Sequence, residues 1–458
     1  MIIMLSRTGA AAAAAKVAAA AVIKNLCVHS AISADYLGAL PGVIESLYSL
    51  AMSTDVAVYE HALGALCMLT TQSVKNRMAL VHGGLLCSSA TLAEKACACL
   101  TEDHRDIMVY GAGLLCNMAA ANGIEDTTAE LGRCPNIFGN LCSAMSSSDK
   151  EVRINAISAL CNLAHHEVNK IRIGGVQGCL ETLNQLLHSG SDAEKAQACM
   201  LVFYLSFIFK NNAQFGELSG ALDCVVDLLR HGNDEQVENA AAALSILACN
   251  SKNAEWLTSG EKRQILLQTL ATTFKNGNAR QKVNIVVSMW NISANSDDAK
   301  HDLGKVPSLL VLLVNELMVD RTSELAQQTV GLLSELLHRN ERNANLFGKV
   351  HRGVELLLDM SFDGDVKPEV QLNACWGVAN FAGGDDDRLR VVMEMEWGLN
   401  ALCRLIGSGN AKQQEFACAL LSSDVLKSMA GRAKMIRIPG LVSTLIDVCT
   451  NFEDDRRR

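Results

Sequence analysis

One short segment returns at near-constant intervals through the chain, and it limits the possible fold more than any other feature. The segment has the pattern small–Leu–x–polar–Leu, and successive copies are 42 to 49 residues apart. Its polar position, or the residue that replaces it, is Asn25, Met68, Asn117, Asn162, Tyr204, Ile246, Asn291, Glu335, Asn380 and Ser422. This period is typical of helical repeat arrays, in which each unit buries its apolar face against its neighbours. We therefore predict an all-α solenoid.

Each unit combines a short helix, a polar turn and a longer helix. The longer helix carries apolar residues at helical spacing, as Val152, Ala156, Ala159, Leu160 and Leu163 do in one unit. The short helix follows a glycine, namely Gly42, Gly175, Gly220, Gly353, Gly398 or Gly440. Glycine adopts the left-handed conformation that ends one helix and lets the chain turn into the next, so these positions predict the unit boundaries.

Composition agrees with helices packed on helices and excludes several functions. The chain has 49% hydrophobic residues, 4% aromatic residues and 5 prolines, without a linker-like segment. Its net charge of −9 argues against nucleic-acid binding. The longest apolar stretch, Cys199–Phe209, is too short to span a bilayer, and we predict that it is a buried helix.

Localisation rests on weaker signals. The 17 cysteines mostly fall inside apolar helical patterns, which predicts reduced, buried thiols and a cytoplasmic or nuclear protein. The first 34 residues contain no Asp or Glu and are rich in alanine, as mitochondrial transit peptides are, although they also fit the first repeat. We expect a cytoplasmic location. The cytoskeleton, cilium or nucleus are alternatives, and mitochondrial targeting is a minor one.

The period, the glycine before the short helix and the asparagine in the longer helix resemble armadillo repeats, the family that includes β-catenin and importin-α. The resemblance implies a right-handed superhelical solenoid of about ten repeats with three helices each. It implies a single domain over residues 1–458, with an incomplete N-terminal repeat over about 1–40 and a C-terminal cap over about 440–458. In this family the third helices line a concave groove.

The resemblance also implies a partner-binding site. The recurring polar residue is similar to the family's groove asparagine, which hydrogen-bonds the backbone of an extended peptide. Seven residues earlier, two turns along the same face, a second row contains six consecutive amides. The candidate groove residues are Asn117, Asn155, Asn162, Gln197, Tyr204, Asn239, Asn284, Asn291, Gln328, Glu335, Asn373, Trp376 and Asn380. Alternatively, these amides bridge adjacent repeats and stabilise the solenoid.

The chain departs from importin-α at the tryptophans that hold lysine side chains. Only Trp376, four residues before Asn380, keeps the W-x-x-x-N spacing, and we predict that Trp290 is a core residue. The equivalent positions elsewhere are Gly64, Gly113, Ser158, Met200, Ala242, Val287 and Gly331. Without this array little remains to bind a basic localisation signal by cation–π contact, which disfavours a nuclear import adaptor.

Motifs for chemistry are absent from the sequence. Cys97 and Cys99 form an isolated C-x-C, and His165-His166-Glu167 lacks a second ligand pair at metal-binding spacing. The glycines at 174, 175 and 178 follow no predicted strand and have no downstream phosphate-binding lysine. We predict no catalytic residues, no metal and no cofactor, and we expect that the protein is not an enzyme.

These observations favour a non-enzymatic scaffold or adaptor that binds an extended or helical segment of a partner protein. We expect no nucleic-acid partner, no direct membrane insertion and no small-molecule substrate. A structural component of a cytoskeletal or ciliary (axonemal) assembly is the main alternative. A chaperone for another protein is a further one.

Overall fold

The computed structural model describes residues 10–82, 86–120, 125–383, 385–395, 398–421, 432–433, 436–438 and 440–455, and every regular element in these ranges is helical. The last copy of the recurring segment, at Ser422, and the final three arginines lie outside the described residues. The chain divides into two compact units, Met1–Leu247 and Ala248–Arg458. The all-α solenoid predicted from the repeat is confirmed within these units.

Sixteen helices are described in the first unit. They are α1 (Ala10–Cys27), α2 (Ala31–Ala39), α3 (Val43–Ala51), α4 (Val56–Gln72), α5 (Val74–His82), α6 (Leu86–Cys99), α7 (Arg105–Ala119), α8 (Glu125–Gly132), α9 (Ile137–Ala144), α10 (Lys150–Leu163), α11 (Glu167–Gly174), α12 (Cys179–Ser189), α13 (Asp192–Ser206), α14 (Phe209–Glu217), α15 (Ala221–His231) and α16 (Asp234–Leu247).

Thirteen helices are described in the second unit. They are α17 (Ser251–Leu257), α18 (Gly260–Asn276), α19 (Ala279–Asn295), α20 (Asp297–Lys305), α21 (Leu309–Val319), α22 (Glu324–Leu337), α23 (Glu341–Phe347), α24 (Gly353–Phe362), α25 (Pro368–Ala382), α26 (Asp386–Glu394), α27 (Gly398–Ser408), α28 (Ala411–Leu420) and α29 (Leu441–Asp455).

From α2 to α28 the described helices follow in groups of three. Each group has a first helix of 7 to 9 residues, a second helix and a third helix, and the third helices from α4 to α25 carry the recurring segment. Within each unit the successive third helices pack against one another and form the centre of the stack. On the third helix α10, Val152, Ala156, Ala159, Leu160 and Leu163 are all fully buried, which confirms the apolar pattern predicted for this helix.

The residue directly before the second helix adopts the left-handed conformation in several repeats. Gly42 (φ 80°) and Gly220 (φ 71°) do so as predicted. The prediction was wrong for Gly175, which has φ −80° and ends α11, while Gly178 (φ 81°) precedes α12. It was also wrong for Gly353, because Arg352 takes the positive φ of 60° and Gly353 is already helical. In these repeats the left-handed residue is the one directly before the second helix, and it need not be glycine.

An asparagine on the first helix connects neighbouring repeats, and no sequence pattern predicted it. The side chain of Asn169 donates to the Thr128 carbonyl of the preceding first helix (2.8 Å) and to the Leu163 carbonyl at the end of its own third helix (3.0 Å). A β-carbon at Gly132 would lie 2.2 Å from the same amide, so the preceding first helix requires glycine at this position. The same pair of hydrogen bonds is made by Asn76, Asn169, Asn211 and Asn343, and the facing glycines are Gly38, Gly132, Gly174 and Gly304.

The apolar stretch 199–209 is only partly the buried helix that we predicted. Helix α13 ends at Ser206, Phe207 is exposed in the turn that follows, and Phe209 is exposed at the start of α14. The chain bends here because the next repeat begins, so the last aromatic residues leave the core. No helix among the described residues is long and apolar enough to cross a membrane.

The cysteines and the N-terminal helix both contribute to the core. Most of the cysteines whose side chains the structure describes are buried, and these cysteines are free thiols. Helix α1 packs on α4, with Ala20, Ile23 and Cys27 fully buried. The alanine-rich N-terminal segment therefore takes part in the repeat stack from Ala10 onward.

Candidate partner-binding surface on the third helices

The recurring polar residues, here called the first row, mainly connect consecutive third helices. Asn117 donates to the Cys67 carbonyl (3.1 Å), and Asn162 donates to the Cys116 carbonyl (3.2 Å). In the second unit Asn380 donates to the Ser334 carbonyl (3.0 Å), while Asn291 donates to the Cys249 sulfur (3.1 Å). These amide nitrogens therefore stabilise the contact between repeats.

Two amides of the second row, seven residues earlier, have the same role in the first unit. Asn239 is 3% exposed and donates to the Ala196 carbonyl at 2.9 Å. Asn155 donates to the Val109 carbonyl at 3.4 Å, a longer bond. The Gln197 side chain is half-buried and has no hydrogen bond within the described part of the first unit.

The second row behaves differently in the second unit. Asn284, Gln328 and Asn373 lie on the successive third helices α19, α22 and α25, and all three side chains are half-buried. Within the described part of this unit, none of their amide groups hydrogen-bonds another protein group, although the backbone carbonyl of Asn284 accepts a bond from Ser288. Each amide can both donate and accept, which matches the two polar groups that a peptide backbone presents.

Two candidate residues of the first row, Tyr204 and Glu335, are not amides, and both have intramolecular partners. Glu335 pairs with Lys300, at 2.6 Å between the carboxylate and Nζ, and Lys300 is only 5% exposed. Tyr204 lies against the His165 ring, with centroids 4.7 Å apart. Burial raises the pKa of Tyr204, so its hydroxyl keeps its proton at neutral pH. These two contacts were not predicted from the sequence, because Lys300 lies on helix α20 and His165 lies in the turn after helix α10.

Trp376, the one tryptophan at the importin-α spacing, is half-buried and faces the His338 ring at 5.5 Å between centroids. His338 also contacts the Asn380 side chain, with 3.3 Å between Nδ1 and Oδ1. His338 was missed because it follows helix α22 and falls outside both rows. Trp376, Asn380 and His338 form a compact aromatic and amide group on this surface.

Trp290 is half-buried and is not the core residue that we predicted. Its ring covers Gly331 of the next third helix, where an added β-carbon would lie 2.1 Å from a ring atom. Gly331 is one of the positions that the armadillo resemblance equates with an importin-α tryptophan. The Trp290 ring of the preceding repeat fills the space beside Gly331.

The described residues contain no group of three or more His, Cys, Asp or Glu side chains that could hold a metal ion. Two cavities of about 460 and 360 Å³ lie away from the two rows. The larger is lined by residues that include Lys349, Arg352, Phe381 and Arg388, and the smaller is flanked by His188 and His231. Neither cavity includes a candidate groove residue.

Comparisons with known proteins give limited matches in sequence and a broad one in fold. No protein-family model matches the chain. The chain is 29% identical to U-box domain-containing protein 16 of Arabidopsis thaliana over 126 residues, which cover 27% of this chain and 18% of the relative. It is 24% identical to U-box domain-containing protein 8 of the same plant over 173 residues, 38% of this chain and 44% of the relative. The chain therefore spans less than half the length of these curated relatives.

Among solved structures, the crystal structure of an engineered protein is similar over 93% of this chain and 98% of its own length. The TM-score is 0.74 and the sequence identity is 20%. This similarity shows the fold alone. A helical repeat solenoid is the class of protein that the fold defines, and such solenoids present extended surfaces suited to binding other proteins.

Proposed function

We propose that the chain is a non-enzymatic scaffold of the armadillo type that binds an extended segment of a partner protein along its third helices. The proposal rests mainly on Asn284, Gln328 and Asn373. These half-buried amides occupy equivalent positions on three successive helices, and their hydrogen-bonding groups are not used within the described part of their unit. Amides that served only to bridge repeats would be bonded, as Asn239 is.

Spacing supports an extended ligand. Packed helices lie roughly 8–10 Å apart, and an extended chain advances about 3.3 Å per residue, so one repeat corresponds to about three ligand residues. Three amides on successive helices would then contact the ligand backbone at about every third residue. Main-chain hydrogen bonds would set the register, while Trp376 offers an aromatic surface for one side chain.

The second unit is thus the preferred site within the candidate groove. In the first unit Asn117, Asn155, Asn162 and Asn239 already donate to neighbouring backbone, which leaves Gln197 as the amide without an internal bond. We propose that these first-unit asparagines mainly stabilise the stack. The ligand role predicted for both rows is therefore assigned here to the second row of the second unit.

A random peptide library displayed on phage and selected on the full chain tests this proposal. Replacing Asn284, Gln328 and Asn373 together by alanine should weaken a selected peptide by about tenfold or more, since hydrogen bonds to desolvated groups each contribute about 0.5–1.5 kcal/mol. The control variant replaces three exposed amides on second helices of the same unit, Gln264, Gln268 and Asn315, by alanine. It should leave the Kd unchanged.

N-methylation of single backbone nitrogens in the selected peptide adds a direct test of the main-chain contacts. Binding should fall when methyl groups are placed about three residues apart and should be insensitive between them. The proposal is wrong if no peptide binds above background. It is also wrong if selected peptides bind the triple variant and the parent chain equally well.

A further inference from the structure

Aromatic side chains gather at the C-terminal end of helix α13 and in the turn that follows it. Phe203 contacts Phe207 edge to face, with ring centroids 5.1 Å apart, and it contacts Tyr204 at 5.2 Å. Tyr204 in turn contacts His165 of the preceding repeat at 4.7 Å. These four residues, together with Phe209 two positions beyond Phe207, are called the aromatic patch below.

The outer part of this patch is open to solvent. Phe207 is 52% exposed and Phe209 is 75% exposed, while Phe203 and Tyr204 are half-buried beneath. Exposed apolar side chains scattered singly need no explanation, but a contiguous group of them marks an interaction surface. The stacked rings also restrict the motion of Phe207, so binding here loses less side-chain entropy than binding to an isolated phenylalanine.

One lysine contacts the patch and a second follows it in the sequence, although the chain as a whole is acidic. The ammonium group of Lys170 lies 4.8 Å from the centroid of the Phe207 ring. Lys210 is exposed directly after Phe209, and the nearest carboxylate along α11 is Glu167, one turn before Lys170. Since the net charge of the chain is −9, an acidic ligand would be repelled by most of the surface and attracted locally by these two lysines.

We infer that the aromatic patch is a docking surface for a partner-protein segment that carries two or more large apolar side chains next to a carboxylate. This inference rests on the proposed scaffold function and adds a second anchor in the first unit. The apolar side chains would cover Phe207 and Phe209, and the carboxylate would pair with Lys170. Tyr204 belongs to the first row, so the patch is continuous with the third-helix surface.

A protein segment fits these observations better than a membrane surface does. Recognition of anionic lipids typically uses clusters of four to eight Lys or Arg residues. Two lysines, Lys170 and Lys210, flank this patch. Its rings are also packed edge to face against one another, which suits a shaped apolar partner better than a fluid acyl layer.

The phage-displayed peptide library, selected on the full chain, tests the inference with different variants. Peptides that bind the patch should be enriched in Leu, Ile, Phe or Trp beside Asp or Glu. Phe207→Ser together with Phe209→Ser should weaken them by about tenfold or more, as for anchor residues in other interfaces. The control replaces two apolar residues elsewhere that are more exposed still, Ile32 and Val319 (86% and 82% exposed), by serine and should leave the Kd unchanged.

Charge reversal at Lys170 separates the carboxylate contact from apolar burial. Lys170→Glu should weaken an acidic peptide by about tenfold, and replacing the peptide's carboxylate by lysine should restore much of the loss. Peptides that depend on Asn284, Gln328 and Asn373 but not on the patch would overturn this inference and leave the scaffold proposal intact. If the selection yields neither peptides that depend on the three amides nor peptides that depend on the patch, the scaffold proposal itself is overturned.

Sedimentation with vesicles of phosphatidylcholine and phosphatidylserine supplies the remaining arm of the test. We expect no sedimentation of the full chain with these vesicles. If the chain sediments with them through Phe207 and Phe209, and no peptide binds the patch, the assignment to a protein partner is overturned in favour of a lipid surface.

Discussion

The side-chain amide of Asn239 donates a 2.9 Å hydrogen bond to the carbonyl oxygen of Ala196 on the preceding third helix. Asn373 occupies the equivalent position in a later repeat, is half-buried and makes no hydrogen bond through its amide within the described part of its unit. The same residue type at the same repeat position therefore forms a hydrogen bond between third helices in one repeat and none through its side chain among the described residues of the other unit. This difference is the reason for proposing a ligand role for Asn373 and a stabilising role for Asn239.

Alanine substitution at these two positions separates the two roles. Asn239→Ala should lower the free energy of unfolding by about 1–2 kcal/mol, because a buried hydrogen bond is lost. Asn373→Ala should change it by less than about 0.5 kcal/mol, as is usual where no internal contact is removed. The urea midpoint, followed by far-UV circular dichroism, measures both. Equal losses would show that the difference in hydrogen bonding has no energetic meaning.

The contact between Gly174 and Asn211 gives a second prediction. A β-carbon at Gly174 would lie 2.3 Å from the Asn211 amide, which is itself only 3% exposed and donates to the Lys170 and Leu205 carbonyls. Because that amide has no room to move, Gly174→Ala should destabilise the protein by about 1–3 kcal/mol, despite the higher helix propensity of alanine.

A double-mutant cycle checks this mechanism. Asn211→Ala alone should also be destabilising, since two carbonyl groups lose a partner. In the double variant the steric conflict disappears, so its loss should be smaller than the sum of the two single losses by about 0.5–3 kcal/mol. Strict additivity would contradict the proposed clash. Gly139→Ala is a suitable control, because a β-carbon there meets no atom within 4 Å.

The buried ion pair between Arg153 and Glu194 makes stability depend on pH in the acid range. Burial opposes ionisation of Glu194, but hydrogen bonds from Ser191 and Arg153 outweigh it and hold the pKa of the carboxyl below its ordinary value of 4.5. A lowered pKa in the folded state contributes stability above pH 4.5, and this contribution is lost as the pH falls through the folded value.

Arg153→Ala should therefore cost about 2–3 kcal/mol at pH 7, and the difference from the parent chain should shrink below about pH 4.5. Arg105→Ala is the matched control, because its guanidinium pairs with Asp149 and Glu151 while 58% exposed. Salt screens such exposed pairs, so this control should leave the urea midpoint nearly unchanged. If the difference in unfolding free energy between Arg153→Ala and the parent chain stays constant from pH 7 to pH 3, the role assigned to Glu194 is contradicted.

The repeat and its helices could be predicted from the sequence because they depend on local patterns. The spacing of apolar residues in α10 and the recurring polar residue needed no knowledge of long-range contacts. The positions of the amides could be predicted in the same way. Which amides form hydrogen bonds between third helices could not be predicted. Asn239 reaches the Ala196 carbonyl, whereas Asn373 reaches no carbonyl among the described residues of its unit. This difference depends on the distance between neighbouring helices, which residues elsewhere in the repeat determine.

Two further features lay beyond sequence patterns for physical reasons. The pairing of Gly174 with Asn211 joins residues on different repeats, and no local period connects them. The exposure of Phe207 and Phe209 follows from the end of α13 at Ser206, whereas their apolar character alone predicted burial. Hydrophobicity alone therefore does not predict which apolar residues are exposed near the helix ends between repeats.

Buried thiols predict a loss of stability in the alkaline range. Cys67 is 4% exposed, and burial raises the pKa of its thiol from 9.0 to about 12, although a hydrogen bond with Thr71 opposes part of the shift. Above pH 9 the unfolded chain loses this proton while the folded chain keeps it, so the free energy of unfolding must fall as the pH rises. Each such thiol contributes a slope of about 1.4 kcal/mol per pH unit until its folded pKa is reached.

Cys67→Ala removes one of these groups and should make the decline between pH 9 and pH 10.5 shallower by about that slope, although the variant starts from a lower stability at pH 7 because a buried side chain is shortened. Urea denaturation of the parent chain and the variant at several pH values, in the presence of a reductant, measures the difference. Parallel pH profiles for the two proteins would mean that Cys67 ionises equally in the folded and unfolded states, which its burial makes unfavourable.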